Sequence, residues 1–88
     1  MKVTDFILHR RFVKQYRRQN SAIKQAFKQR RDFLLTNPFH PILNNHPLCG
    51  EWAGHRSINI TGDLRAVYKV EGETAILVAI DTHTNLYD

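Results

Sequence analysis

Four side chains in the second half of this 88-residue chain, His46, Arg65, His83 and Tyr87, are of the types that together cut an RNA phosphodiester without a metal. RNA carries its own nucleophile: the 2′-hydroxyl attacks the adjacent phosphorus in line, the bond to the 5′ oxygen breaks, and a cyclic phosphate and a free 5′-hydroxyl result. A catalyst must remove the 2′ proton, offset the extra negative charge on the phosphoryl oxygens and protonate the departing oxygen. Histidine, with an unperturbed pKa of about 6.5, suits either proton transfer, which makes His46 and His83 the candidate acid and base. The guanidinium of Arg65 stays charged and presents donors matched to phosphate oxygens. Tyr87 offers a ring to stack on a base or a hydroxyl to donate to a phosphate. Asp63 either orients a histidine or opens the following strand as a turn residue. Arg65 interrupts an otherwise apolar run, so it either acts on substrate or pairs with a carboxylate such as Asp63.

These residues need a scaffold, and hydrophobic periodicity outlines one. Val3 to Leu8 reads as a short first strand. From Arg10 to about Gln19, Phe12, Val13 and Tyr16 recur at helical spacing among Arg, Lys and Gln, the pattern of an amphipathic helix with a basic outer face. Asn20-Ser21 interrupts it. Ser21 is a suitable N-cap for a second helix carrying Ile23, Ala26, Phe27, Phe33 and Leu34, which ends before Pro38. Residues 36–53 hold all three prolines and read as a connector with turns. Three β-like runs follow, His55 to Ile60, Leu64 to Val70 and Thr74 to Ile80, divided by Thr61-Gly62-Asp63 and Glu71-Gly72-Glu73. The order β-α-α-β-β-β predicts a single α+β domain, with a basic helix hairpin packed on one face of a mainly antiparallel four-stranded sheet and the other face left for a ligand.

Charge is distributed unevenly. Residues 1–31 hold ten of the thirteen Lys and Arg against Asp5 alone, whereas residues 32–88 carry three cations and seven carboxylates. A half this basic implies a polyanionic partner, nucleic acid or an acidic protein. Lys14, Arg17, Arg18, Lys24, Lys28 and Arg31 on the helices, with Arg56 on a strand, are the candidate RNA-binding cations. The single cysteine, Cys49, rules out an internal disulfide and a thiolate zinc cluster. His9, His40 and His55 have no metal-ligand spacing, and no metal or other cofactor is expected. The charged start Met1-Lys2-Val3-Thr4-Asp5 has neither signal peptide nor membrane span, so a cytoplasmic location is expected. Trp52, a lone indole between Gly50 and Gly54, is read as cover for the core edge.

Four stretches in order, His46-Pro47-Leu48, Gly54-His55-Arg56-Ser57, Gly62-Asp63-Leu64-Arg65-Ala66-Val67-Tyr68 and Asp81-Thr82-His83-Thr84-Asn85-Leu86-Tyr87, resemble the RelE/ParE superfamily of bacterial and archaeal toxins, and most of all its YafQ-type branch. The basic helix hairpin matches as well, so the resemblance covers residues 1–88 as one RelE-like toxin domain. It implies a toxin of a type II toxin–antitoxin pair that enters the ribosomal A site and cuts mRNA there without a metal. It also implies a cognate acidic, partly disordered antitoxin as partner, beside mRNA and ribosomal RNA, and no membrane. His46 matches the histidine of the family's His-Pro-Leu turn, Asp63 its acidic residue before the central strand, Arg65 the arginine of the RelE-branch strand, His83 the histidine near the C-terminus, and Tyr87 a C-terminal aromatic. The chain departs from the YafQ branch at Asn59, Leu64 and Ala79, where that branch has a histidine, a tryptophan and an arginine. Two other classes fit the same fold: a ParE-like inhibitor that binds DNA gyrase, and an inactive member that binds antitoxin or RNA. The histidine pair favours cleavage, since pure binding has no need of proton transfer.

Overall fold

A computed structural model describes residues 1–87. Strand β1 (Asp5–Leu8) leads into helices α1 (Arg10–Arg17) and α2 (Ser21–Thr36); β2 (His46–Pro47), β3 (Arg56–Asn59), β4 (Leu64–Glu71) and β5 (Thr74–Thr82) follow, and α3 (His83–Tyr87) closes the chain. Single 3-10 turns at Pro41–Leu43 and Gly50–Trp52 flank β2. The strands form one sheet in the order β1-β5-β4-β3-β2, parallel only between β1 and β5. The expected α+β domain is present, with one strand more than the sequence reading gave. That fifth strand is the two-residue β2, inside the proline-rich connector, where too few residues pair to leave an alternating signature.

The helix starts follow from capping. His9 Nδ1 accepts from the Arg11 amide at 3.1 Å to cap α1. Asn20, rather than the expected Ser21, caps α2, its Oδ1 accepting from the Ile23 amide at 2.9 Å, which places Ser21 in the first turn. Pro38 disfavours helical backbone at Asn37, so α2 stops at Thr36. Phe12, Tyr16 and Phe27 interlock with ring centroids 5.2–5.7 Å apart and press on Leu34, Ile58, Leu64, Tyr68, Leu77 and Ile80 of the core. Among the described residues no helix is long and apolar enough to cross a membrane.

A shift of register between β4 and β5 decides what the second face presents. Val67 pairs with Ala79 but Tyr68 pairs with Leu77, so Val78 is an extra residue without a partner. This bulge resets the alternation. Leu77 and Ile80 both face the helices, and Ala79 turns with Val67 to the opposite side. That side is not bare, as the sequence reading left it. Leu48, Trp52, Leu86 and Tyr87 pack on Val67 and Ala79 as a second, smaller apolar cluster.

Where α1 runs past the end of β1, a side chain replaces a strand. Gln15 Oε1 accepts from the Ile80 amide at 3.0 Å, and its Nε2 donates to Asp81 at 3.4 Å, so the upper edge of β5 is satisfied from a helix.

Candidate active site

On the face away from the helix hairpin, an open pocket of about 590 Å³ lies between the 46–52 segment and α3. His46, Cys49, Glu51, Trp52, His83 and Tyr87 are among its lining residues. Two imidazoles thirty-seven positions apart in sequence thus share one cavity, with the C-terminal aromatic between strand and helix.

His46 is aimed by the residues before it. Asn44 adopts the left-handed conformation, φ +44°, which asparagine tolerates. Asn45 then turns to the helix side, where its Oδ1 accepts from Tyr68 Oη at 2.9 Å and Arg56 Nε at 2.8 Å and its Nδ2 donates to the Pro38 carbonyl at 2.9 Å. With Asn45 tethered on one face, strand geometry sends His46 to the other, opposite Ser57. His46 Nδ1 lies 2.7 Å from the Asn44 carbonyl. A carbonyl only accepts, so in the neutral ring Nδ1 holds the proton and Nε2 carries the free lone pair.

His83 is positioned by the way α3 is pinned. Its backbone amide donates to the Asp63 carbonyl at 2.9 Å. Asn85 Nδ2 donates to Asp81 Oδ1 at 3.0 Å, and Trp52 Nε1 to the Leu86 carbonyl at 2.9 Å. Tyr87 Oη donates to Oγ of Ser57, a fully buried residue, at 2.9 Å. The His83 ring is exposed and meets the Tyr87 ring edge-on, with centroids 4.9 Å apart.

The other sequence candidates fall outside the cavity. Arg65 lies across from Asn59 and Asp81 in register, and its Nη1 donates to the carbonyls of Thr61, Gly62 and Leu64 rather than to the Asp63 carboxylate. Asp63 is exposed, and its link to the site runs through its backbone carbonyl. Arg56 is on the helix side, tied to Asn45 and over the Phe39 ring, with its guanidinium carbon 5.4 Å from the ring centroid. Lys14, Arg17, Arg18 and Lys28 are exposed on the helices, whereas Lys24 sits over Tyr16 and Arg31 over Phe6 beside Asp32.

Trp52, Glu51 and Cys49 line the pocket, and sequence reasoning had placed none of them there. Trp52 does cover the small cluster as expected, yet its indole also forms wall and anchor. Its single N–H in an apolar setting was the available signal, since a buried indole seeks an acceptor. Among the described residues no three His, Cys, Asp or Glu side chains converge as metal ligands.

Comparison with known proteins completes the description. No curated protein matches the chain. Crystalline YafQ from E. coli strain BL21(DE3) superposes with a TM-score of 0.79 at 21% identity, over 96% of this chain and 98% of that one. A YoeB/ParE toxin from Agrobacterium tumefaciens gives 0.78 at 21% identity, over 91% and 99%. A chain of the E. coli DinJ-YafQ toxin-antitoxin complex gives 0.75 at 19%, over all of both. These likenesses establish the fold. The family described as the bacterial toxin of type II toxin-antitoxin system, YafQ, matches residues 4–88, and the chain belongs to that family.

Proposed function

We propose that this toxin is an endoribonuclease that cuts mRNA in the ribosomal A site by metal-independent attack of the 2′-hydroxyl. The observation that carries the reading is the shared cavity of His46 and His83. His46, with its lone pair on Nε2, takes the 2′ proton. His83, exposed at the lip, gives a proton to the leaving 5′ oxygen. Tyr87 supplies the stacking surface beside it. Arg65 offsets the developing charge by exchanging its neutral carbonyl partners for a phosphoryl oxygen, a stronger acceptor. Asp63 serves through the carbonyl that fixes the first residue of α3. The cations of the helices, Lys14, Arg17, Arg18, Lys24, Lys28 and Arg31, contact RNA of the programmed ribosome, and Arg56 acts on the strand by holding Asn45. A cognate acidic antitoxin covers the same basic surface and silences the site, in a cytoplasm where toxin, antitoxin and ribosome meet.

Purified toxin incubated with programmed ribosomes, followed by mapping of mRNA 5′ ends, tests the reading. New ends carrying a 5′-hydroxyl at A-site codons are expected. Arrested translation without new ends would overturn it, and loss of gyrase supercoiling instead would establish the binding inhibitor.

A further inference from the structure

A pocket that receives a phosphodiester needs a cation, yet among the described residues no lysine or arginine lines this one. Arg65 lies outside the lining and reaches a phosphoryl oxygen only by giving up its backbone carbonyls, and Arg56 is on the other face. Lys69 is paired with Glu71 at 3.3 Å. The cation that does stand against the pocket wall comes from α1: the Arg11 guanidinium carbon is 5.3 Å from the centroid of the Trp52 ring. Stacking on an indole holds a guanidinium in place while leaving its edge N–H groups free for an anion.

Arg11 also belongs to a second concavity. Together with His9, Arg10, Lys14, Gln15 and Arg18 it lines a groove of about 640 Å³ along α1. Four cations share that groove, and among the described residues none of them forms an ion pair. Sequence explains why: between Asp5 and Asp32 there is no acidic residue. The groove and the pocket therefore meet at the Arg11-Trp52 pair, one with four cations and a single imidazole whose Nδ1 caps α1, the other with two imidazoles and no cation in its lining.

We propose that the two concavities form a single track for single-stranded RNA, in which phosphates of the strand flanking the cut lie along α1 and Arg11 holds the one that enters the His46-His83 pocket. This rests on the endoribonuclease reading for the chemistry, whereas the binding track stands on its own geometry. RNA fits better than an acidic peptide because the cations of the groove repeat along one helix flank and lead into the cavity where a phosphodiester must sit, with the half-buried ring of Tyr87 beyond.

The test uses a single-stranded RNA oligonucleotide with 2′-O-methyl riboses, which binds but cannot be cut, titrated with full-length protein by fluorescence anisotropy. Arg11→Gln keeps a stem to lie on Trp52 and removes the charge. It should weaken binding at least about fivefold and lower the slope of log affinity against log salt by about 0.7, the value for one phosphate of a single strand. Arg11→Lys should restore most of the affinity and slope. Lys2→Gln, an equal charge change beside Glu73, should leave binding near the wild-type value. Equal losses in the Lys2 and Arg11 variants, unchanged binding in Arg11→Gln, or a loss confined to antitoxin affinity would each overturn the track. The same proteins on programmed ribosomes separate the two readings. Arg11-dependent RNA binding without cleavage by wild type refutes the nuclease and keeps the track; cleavage indifferent to Arg11→Gln refutes the track and keeps the nuclease.

Discussion

Individual side chains at this site do two jobs at once, and substitutions can separate them. His83 contributes an exposed ring whose packing is limited to the edge of the Tyr87 ring, and α3 is held by the His83 backbone amide rather than by that ring. His83→Ala should retain the wild-type melting temperature and antitoxin binding while cleavage on the ribosome falls at least about tenfold, the lower part of the range for general acid-base catalysis. Tyr87 combines a ring at the pocket with a hydroxyl bonded to buried Ser57. Tyr87→Phe should cost about 1 kcal/mol by urea denaturation, the worth of one hydrogen bond, and leave most of the cleavage rate. Tyr87→Ala removes the ring as well and should lose both. A Phe variant as inactive as the Ala variant would show that the hydroxyl, not the stacking surface, serves the reaction.

Elements, in turn, are fixed by a few side chains that satisfy backbone at their edges. Gln15 stands where a strand would otherwise continue the sheet beside β5. Gln15→Ala should destabilise the protein by about 1–3 kcal/mol, since it strands the Ile80 amide, and Gln15→Glu should be no better because it sets a second carboxylate against Asp81. Urea titrations of both variants check this. β2 is too short to hold itself, and Asn45 anchors it through Tyr68, Arg56 and the Pro38 carbonyl. Asn45→Ala should therefore lower cleavage by loosening His46, with circular dichroism unchanged in the helical region. The second helix was legible from periodicity because it turns Phe27 and Leu34, with Ile23, Ala26 and Phe33 beside them, onto the core, and the first strand from its apolar run Phe6-Ile7-Leu8, although Ile7 and Leu8 stay exposed. β2 and α3 were not, because they are two and five residues long and are held by contacts from distant parts of the chain.

Across the whole molecule, the helix hairpin and the sheet enclose a core that also sets an alkaline limit. Burial pushes the Tyr68 phenol above its ordinary value, against smaller opposing effects of the Asn45 hydrogen bond and the Arg56 charge. A raised folded-state value means that this group's contribution is fully present below the unfolded pKa, about 10, and is lost as pH rises through the folded one. Unfolding free energy should decline above about pH 10, and Tyr68→Phe should decline less steeply over the same range. Steeper decline in the variant would contradict this account. Buried against the same sheet, Phe12 meets the rings of both Tyr16 and Phe27, and Phe12→Ala should cost about 3–5 kcal/mol by urea denaturation.

The amino-acid sequence by itself determined the α+β domain, the two helices, the strands β1, β3, β4 and β5 and the basic first third, because these depend on local periodicity and on charge that no fold can redistribute. It also singled out His46, His83 and Tyr87 by residue type and order. Only the tertiary structure decided that these three share a cavity while Arg65 and Arg56 do not line it. That outcome turns on one unpaired residue in β5, on Asn45 taking the opposite face from His46, and on Trp52 clasping α3, and such long-range register and anchoring leave no period in a linear chain.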